Sequence, residues 1–345
     1  MTYIISLLYR IGIEIRFLLF KWGVLNTRKL HSPVISIGNL TVGGTGKTPF
    51  VSYLAKVIQK LHYQPVILSR GYRGQYEKKG AFVSRKNKVL LGPEESGDEP
   101  NMLARKLSGV PILVGRDRFK SGRSVEDLYE NCIHLLDDGF QHLELARDLD
   151  ILLIDGTDPF GQGHLLPKGR LREPLKAISR ADMVIITRSH LITETAEIER
   201  IVRSYHPTVT IGYFYHDATG IRDLATGKYS PVRNLEGQKV IVLAAVGNPM
   251  VFLQDLAHYQ IYVLDQFLFR DHHVFQQSEL DTALNRAKVL GANCLVTTEK
   301  DAVRLTSLHF NKGEILVFEI EARPEDQAEY MKIWQQELAD LMAGK

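Results

Sequence analysis

The sequence predicts an α/β protein built on a mostly parallel sheet, and three observations indicate this fold class. Strand-like apolar runs alternate with segments of helical periodicity along most of the 345 residues, which is the pattern of parallel sheets covered by helices. A β-branched run at 34–37 leads through a glycine-rich turn into a helical segment. Two later apolar runs, at 133–136 and 151–154, each end in aspartate. A ligand site is therefore expected at the carboxyl edge of the sheet.

Composition and charge exclude few function classes. The chain is 44% hydrophobic and 24% charged, which is typical of globular proteins and sufficient at this length for two domains. A net charge of +3 does not indicate a partner, and no Lys/Arg-rich run with interleaved aromatic residues is present. No nucleic-acid partner is therefore predicted. Cys132 and Cys294 lie in apolar runs and are expected to be buried core residues.

The first 25 residues predict an amphipathic helix. Arg10, Glu14 and Lys21 are four and seven residues apart, which places them on one narrow stripe of a broadly apolar helix. No uncharged run approaches the roughly 20 residues that span a bilayer, and no small-residue cleavage site follows. We therefore expect neither a transmembrane helix nor a secretory signal. An interfacial membrane helix and a helix packed on the protein's own sheet stay open as alternatives.

The glycine-rich turn predicts a phosphate-binding loop. Glycine allows backbone N–H groups to converge at the positive end of the following helix, a lysine there reaches the β and γ phosphates of a nucleotide, and a threonine hydroxyl ligates Mg²⁺. A threonine stands where the first glycine of this motif is usual, and an ordinary turn before a surface lysine is the alternative. The residues expected to bind ATP are Thr41, Val42, Gly43, Gly44, Thr45, Gly46, Lys47 and Thr48, with Thr48 also at the metal.

Downstream elements supply further polar groups. A hairpin at 81–91 is expected to form a mobile flap, and Asp98 is expected to cap the helix that follows it. The pair Asp137 and Asp138 ends a strand downstream of the phosphate loop, and one of the two is expected to bind Mg²⁺. The loop at 159–174, rich in glycine and proline, is too long for a simple connection and is expected to be functional.

The predicted domains are an N-terminal helix at 1–25, a phosphate-loop domain at 26–207, a two-stranded hairpin linker at 208–234 and a smaller α/β domain at 235–345. Within the last domain, Asp271, His272 and His273 have no further metal ligand at the usual spacing, so a catalytic or structural histidine pair is favoured over zinc.

Several motifs together resemble the tetraacyldisaccharide 4'-kinase family of lipid A biosynthesis, from the N-terminal helix to the C-terminus. They are Gly38–Pro49, Ser69–Tyr72, Gly97–Pro100, Asp137–His142, Leu165–Pro167 with Leu171–Pro174, and Asp271–His273. The resemblance implies two α/β domains and transfer of the γ-phosphate of ATP to the 4'-hydroxyl of tetraacyldisaccharide 1-phosphate, giving lipid IVA. It also implies peripheral association with the cytoplasmic face of the bacterial inner membrane, which favours membrane docking of the N-terminal helix.

Residue roles are implied by the same resemblance. Asp98 is the expected base and His272 its expected partner on the other domain, so that domain closure would assemble the site, with His273 as the alternative. Positions 168 and 170 of the 159–174 loop are expected to vary. The other implied catalytic residues are Lys47 and Glu173, and Glu173 also serves active-site organisation. Asp137 and Asp138 are implied in metal binding, Arg172 in binding nucleotide, and Arg116 and Tyr72 in binding substrate.

A rival hypothesis is a nucleotide hydrolase that acts as a switch on a protein partner. Such proteins often carry a second lysine at the start of the phosphate loop, where this chain has Thr41 and Val42. That difference, together with Asp98 and the histidine pair, favours the kinase.

Overall fold

A computed structural model describes residues 2–344, and the chain divides into two compact units. Unit 1 comprises Met1–His216 and Ala322–Lys345, and unit 2 comprises Asp217–Glu321. The helices are α1 (Thr2–Lys21), α2 (Lys47–Lys60), α3 (Pro93–Ser96), α4 (Asp98–Lys106), α5 (Arg118–Glu126), α6 (Ala196–Tyr205), α7 (Pro249–His258), α8 (Gln277–Leu290), α9 (Glu299–Leu305) and α10 (Gln327–Met342).

The strands alternate with these helices along most of the chain. They are β1 (Val34–Asn39), β2 (Gln64–Ser69), β3 (Ala81–Arg85), β4 (Lys88–Val89), β5 (Ile112–Val114), β6 (Cys132–Asp137), β7 (Leu149–Asp155), β8 (Met183–Thr187), β9 (Thr210–Asp223), β10 (Tyr229–Ser230), β11 (Lys239–Ala244), β12 (Tyr262–Leu268), β13 (Cys294–Thr298) and β14 (Ile315–Pro324). Short 3₁₀ turns occur at Gly161–Gly163, Leu175–Arg180, Ser189–Leu191 and Val232–Leu235.

The sheet of unit 1 has the strand order β9-β8-β7-β1-β6-β2-β5-β3-β4. Its strands from β9 to β5 are parallel, and only β3 and β4 run antiparallel to their neighbours. The mostly parallel α/β fold is thus confirmed. The predicted hairpin at 81–91 is confirmed, since β3 and β4 pair antiparallel. Its first strand is not a mobile flap, however, because β3 also pairs with β5 and Val83 is fully buried.

Helices cover both faces of this sheet. On β1, Ile35 and Ile37 contribute to the core under α2, α4 and α10, whereas Val34 contributes to the core under α5. Alternate residues of a strand point to opposite faces, and a strand buried on both sides is apolar throughout, as in parallel sheets generally. All six residues of β1 are buried. The core therefore fixes the point at which β1 ends and the phosphate loop begins.

The C-terminal helix belongs to unit 1, whereas the sequence predicted it to close a second domain at 235–345. Trp334 of α10 is fully buried and lies in the same core cluster as Phe50 of α2 and Phe214 of β9. The ring centroids of Phe50 and Trp334 are 6.4 Å apart. Burying Tyr330, Trp334 and Leu338 of α10 in this core stabilises the packing more than proximity along the chain could.

The predicted linker at 208–234 contains the expected antiparallel hairpin, formed by β9 and β10. Its first strand is not a mere connection, however, because residues 210–214 of β9 pair in parallel with β8. Phe214 is fully buried there.

Unit 2 has a parallel sheet of its own, in the order β12-β11-β13-β14. Helices α8 and α9 pack on one face and α7 on the other. The threonine that ends β13, Thr298, caps α9 by accepting a hydrogen bond from the backbone N–H of Asp301.

Helix α1 leaves its apolar surface largely uncovered. None of its side chains is buried, and Ile4, Leu8 and Ile11 are exposed by 67%, 63% and 46%. Among the residues that the structure describes, no helix is both long and apolar enough to cross a membrane.

Candidate functional site

The phosphate loop connects β1 to α2 at the carboxyl edge of the sheet. Gly43 and Gly46 adopt φ angles of 121° and 76°, which residues with a side chain rarely adopt. The backbone of Gly46 leads directly into α2, which begins at Lys47. The first N–H groups of that helix have no partner within the helix, so its N-terminus can bind an anion.

Lys47 lies among oxygen atoms from two strand ends. Its Nζ donates to Oδ1 of Asn39 at 3.0 Å and lies 3.4 Å from Oδ1 of Asp138. Asn39 ends β1 and Asp138 follows β6, and these two strands are neighbours in the sheet. The side chain of Lys47 is therefore held beside the phosphate loop by two oxygen atoms. Asp138 is a predicted site residue, whereas Asn39 is not.

Arg172 brings the 159–174 loop to the same place. Its Nη1 lies 3.0 and 2.9 Å from the two carboxylate oxygens of Asp138, and its backbone N–H donates to the carbonyl of Leu40 at 2.6 Å. An isolated bridge pairs Thr41 with Leu171. The long loop thus packs along the start of the phosphate loop, which supports the expectation that it is functional.

Asp137 and Asp138 have different surroundings, and their pKa values are shifted in opposite directions. Asp137 is buried and its Oδ2 accepts a hydrogen bond from the hydroxyl of Ser69 at 3.1 Å. Burial, together with the negative charges of Glu99 and Asp138, raises the pKa of Asp137 to about 7. Burial alone would also raise the pKa of Asp138, but the charges of Lys47 and Arg172 hold that pKa well below its usual range.

The donor set fits a divalent cation. Oδ1 of Asp137 is buried with no hydrogen-bond partner among residues 2–344, and a buried carboxylate oxygen of this kind is stabilised by a cation. Thr48, which follows Lys47 in α2 and is half-buried, carries a hydroxyl at the same end of the phosphate loop. Carboxylate and hydroxyl oxygens are the hard ligands that Mg²⁺ prefers.

Asp98 is buried and is the first residue of α4. The prediction that it caps this helix is wrong, because Gly97 is the N-cap residue. Gly97 has a φ of 85°, and a Cβ at that position would lie 2.9 Å from the carbonyl oxygen of Tyr72. This close approach brings the start of α4 beside the segment that follows the carboxyl end of β2.

The remaining predicted residues of unit 1 differ in exposure. Glu173 is buried, and its Oε2 pairs with Nη1 of Arg180 at 2.6 Å. Tyr72 is 53% exposed, with the guanidinium of Arg73 5.4 Å above its ring. Arg116 is exposed, and its backbone N–H donates to the carbonyl of Glu77 at 2.6 Å.

A cavity of about 490 Å³ adjoins the phosphate loop within unit 1. Five predicted site residues line it: Val42, Arg116, Asp138, Arg172 and Glu173. The cavity also has polar lining residues to which the sequence assigns no role: Arg16, Arg70, Arg118, Gln141, His142 and Glu144. Of these, Arg70 lies in the motif after β2, and Gln141 and His142 lie in the motif after β6.

Two of these residues have strongly perturbed ionisation. Burial, together with the charges of Arg118 and Arg147, lowers the pKa of His142 to about 3. Burial also lowers the pKa of Arg118. Nε2 of His142 and Nε of Arg118 have no hydrogen-bond partner within the described part of the chain. The cavity therefore carries cationic and neutral donors suited to an anionic, hydroxyl-rich ligand.

The two adjacent histidines of unit 2 have different surroundings. His273 has its Nε2 2.9 Å from Oε2 of Glu279, and its ring stacks on Phe269 at a centroid distance of 4.4 Å. His272 adopts a φ of 65°, and its ring nitrogens lie 3.4 Å from Lys300 Nζ and 3.4 Å from Arg304 Nη2. No group of three or more His, Cys, Asp or Glu side chains suited to a metal ion occurs in residues 2–344.

Comparisons with known proteins agree with the site. A family model described as tetraacyldisaccharide-1-P 4'-kinase (LpxK) matches residues 1–339. The chain is 37% identical over 315 residues to the tetraacyldisaccharide 4'-kinase of Halothermothrix orenii, covering 88% of this chain and 82% of that protein. It is 36% identical over 321 residues to the corresponding kinase of Desulfatibacillum aliphaticivorans, covering 92% and 86%.

A solved structure is similar over nearly the whole chain. The crystal structure of the "apo" form of LpxK from Aquifex aeolicus in complex with ATP matches with a TM-score of 0.74 and 30% sequence identity, covering 97% of each chain. The fold and the family-level match therefore extend beyond the phosphate loop.

Proposed function

The chain belongs to the tetraacyldisaccharide 4'-kinase family, and from this premise we propose how its residues carry out the reaction. It is an ATP-dependent phosphotransferase of lipid A biosynthesis, transferring the γ-phosphate of ATP to the 4'-hydroxyl of tetraacyldisaccharide 1-phosphate. The family resemblance and the whole-chain matches favour this activity over a nucleotide hydrolase that switches a protein partner.

One observation supports the residue assignment most strongly. Lys47, Asp138 and Arg172 form a contiguous charged group at the head of the phosphate loop, with Lys47 and Arg172 both contacting Asp138. Phosphoryl transfer depends mainly on positioning and on neutralising charge. We therefore assign Lys47 and Arg172 to the phosphates of ATP, with the backbone of residues 41–48 cradling them.

A magnesium ion fits this edge of the sheet. Thr48, Asp137 and Asp138 are the residues that would hold it, on the basis of their oxygen donors and the unpartnered Oδ1 of Asp137. Bound there, Mg²⁺ would neutralise charge on the phosphates. The ammonium of Lys47 would then turn from Asp138 toward the phosphates, because Lys47, Asp138 and the ion would lie in one small region.

Asp98 is the proposed base that accepts the proton of the 4'-hydroxyl. It is buried at the start of α4, where the helix N-terminus stabilises a carboxylate. The role of Glu173 is to organise the site, since its carboxylate is already paired with Arg180, whose Nη2 also donates to the carbonyl of Phe140.

The lipid substrate is proposed to enter the 490 Å³ cavity beside α1. Arg116 and the neighbouring arginines supply planar donors for its phosphate, while Tyr72, exposed at the adjoining turn, supplies an aromatic surface. Helix α1 lines this cavity and also exposes apolar side chains to solvent. We therefore propose that α1 docks on the cytoplasmic face of the inner membrane as an interfacial helix.

Membrane docking can be tested by sedimentation with anionic phospholipid vesicles. Replacing two exposed residues of α1 (Ile4→Glu with Leu8→Glu) should abolish co-sedimentation. The matched control is Val289→Glu on α8, since Val289 is also exposed, by 77%. Full vesicle binding by the α1 variant would contradict the proposal.

The reaction itself is tested with Mg²⁺, γ-labelled ATP and detergent-dispersed tetraacyldisaccharide 1-phosphate. Label should move into a lipid product and be lost in Lys47→Ala. The control Lys60→Ala, at the exposed end of the same helix, should retain activity. Label released only as free phosphate would instead support the switch hydrolase.

A further inference from the structure

The 159–174 loop holds the start of the phosphate loop through one side chain, Arg170. Its Nη2 and Nε donate to the carbonyl oxygen of Val42 at 2.9 and 3.2 Å. Its backbone carbonyl accepts the N–H of the same residue at 2.8 Å. Both polar groups of the Val42 backbone are therefore bound by a single residue more than a hundred positions away in the chain.

The guanidinium is itself held in place. Its Nη1 pairs with Oδ2 of Asp158 at 2.5 Å, and the backbone N–H of Arg170 donates to the carbonyl of Gly161 at 3.0 Å. Arginine presents its donors in a rigid planar fork, so one side chain can bind a carboxylate and a carbonyl at once. Lysine has a single ammonium group and cannot reproduce this arrangement.

The phosphate loop is shaped around this contact. A Cβ on Gly43 would lie 2.4 Å from Nη2 of Arg170, and Gly43 has a φ of 121°. Gly43 is thus the residue after the clamped carbonyl, and it has the backbone freedom that would otherwise allow the Val42–Gly43 peptide to rotate. If this peptide is already fixed before the nucleotide binds, less conformational entropy is lost on binding.

We propose that Arg170, oriented by Asp158, is a positioning residue that holds the phosphate loop in its nucleotide-binding conformation. The inference rests on the proposed nucleotide role of residues 41–48. It gives a role to position 170, which the family resemblance leaves without one. Arg170 does not itself line the 490 Å³ cavity, and its hydrogen bonds go to the backbone of the phosphate loop, so the main effect is expected on ATP.

The test measures ATP and lipid separately. Isothermal titration with a non-hydrolysable ATP analogue and Mg²⁺, without lipid, gives the nucleotide Kd, and steady-state kinetics give KM for each substrate. Arg170→Ala should raise the nucleotide Kd about tenfold, as expected for loss of charge-assisted hydrogen bonds, and leave the lipid KM unchanged. Arg170→Lys should not restore the nucleotide affinity, because an ammonium group keeps the charge but cannot bind Asp158 and the carbonyl of Val42 at the same time.

Matched variants separate the possible failures. Lys168→Ala removes a positive charge from the same loop, where the ammonium lies 3.7 Å from the centroid of the Tyr3 ring, and it should leave nucleotide affinity unchanged. Asp158→Asn tests the clamp while Arg170 is retained, and it should raise the nucleotide Kd severalfold. If Arg170→Ala does not fold, as judged by thermal melting, Asp158→Asn and Arg170→Lys decide the question.

The overturning results are specific. Wild-type nucleotide affinity in Arg170→Ala, or a change confined to the lipid KM, would refute the clamp. Lys47→Ala provides the reference for the loop itself. If nucleotide affinity falls in Lys47→Ala but not in Arg170→Ala, only the clamp fails, whereas unchanged affinity in both would refute the proposed nucleotide role of the loop.

Discussion

The hydroxyl of Tyr9 donates a hydrogen bond to the backbone carbonyl of Arg172 at a distance of 3.1 Å. A residue of α1 is thus bonded to the loop residue whose side chain contacts Asp138. Burial raises the pKa of Tyr9, consistent with a hydroxyl that stays protonated as a donor. The N-terminal helix therefore contributes directly to the architecture of the candidate active site.

Removing this hydroxyl should reduce catalysis without removing the helix. Tyr9→Phe loses one hydrogen bond of about 1 kcal/mol, so we expect about a fivefold lower kcat with detergent-dispersed lipid. Vesicle binding should not change, because the aromatic ring remains. Tyr3→Phe on the exposed start of the same helix is the control, and an equal loss in both variants would contradict a specific role for Tyr9.

Asp98 should be needed for the chemical step and not for nucleotide binding. A general base contributes about 10²- to 10⁴-fold, so Asp98→Asn should lower kcat by that factor while the Kd for an ATP analogue stays near the wild-type value. Asp127→Asn changes an exposed carboxylate at the end of α5 and should have wild-type kinetics. Normal turnover in Asp98→Asn would exclude the assignment.

The adjacent histidines provide a matched pair. His273 is engaged by Glu279 and Phe269 within unit 2, which favours His272 as the catalytic residue that the family resemblance implies. His272→Ala should lower kcat by at least about tenfold, as expected for loss of a catalytic partner, with an unchanged melting temperature. His273→Ala should mainly lower the melting temperature. The reverse assignment of these effects would identify His273 as the catalytic residue.

Acid stability should depend on His134. Burial holds its pKa at about 4, although Glu126 Oε1 lies 3.9 Å and Cys132 Sγ 4.0 Å from Nε2. Since an unfolded histidine titrates near 6.5, the unfolded chain binds more protons between about pH 6.5 and pH 4. The contribution of neutral His134 to the free energy of unfolding is therefore fully present above about pH 6.5. It is lost progressively, by up to about 3 kcal/mol, as the pH falls toward about 4.

The measurement is urea unfolding of wild type and His134→Gln at several pH values in this window. The variant should show a flatter decline in unfolding free energy toward low pH. His31→Gln, at an exposed position, should follow the wild type. A decline of the same slope in His134→Gln would show that other groups govern acid stability.

Trp334 tests the assignment of α10 to unit 1. Its side chain is fully buried against Phe50, so Trp334→Ala should lower the free energy of unfolding by about 3–5 kcal/mol through lost burial and a residual cavity. Trp22→Ala removes the same side chain from a site that is 69% exposed and should change stability by less than about 0.5 kcal/mol. Similar values for both variants would contradict the packing.

Much of the fold could be predicted because its signals are local. The apolar run of β1, the glycines at 43 and 46 and the helical periodicity of α2 lie within one short segment, and each indicates its own conformation. The aspartates that end β6 were located correctly for the same reason. The family resemblance extended this to the reaction, because its motifs recur in fixed order along the chain.

The predictions that were wrong involve competition between distant segments. Asp98 matched the residue type of a helix cap, but Gly97 takes that position because the chain must pass close to Tyr72. The expected flap became sheet because β5 offers it an edge to pair with. Nothing in the local sequence around Arg170 indicates that its side chain binds the carbonyl of Val42.

By itself, the sequence determined that this chain forms a parallel α/β fold with a phosphate loop, and its motifs determined the family. The contacts of α10 with the core of unit 1, of Tyr9 with the carbonyl of Arg172 and of Arg170 with the carbonyl of Val42 are visible only in three dimensions. The physical reason is that backbone conformation and hydrophobic periodicity act over a few residues, whereas burial and hydrogen-bond satisfaction are settled by whichever segments meet in space.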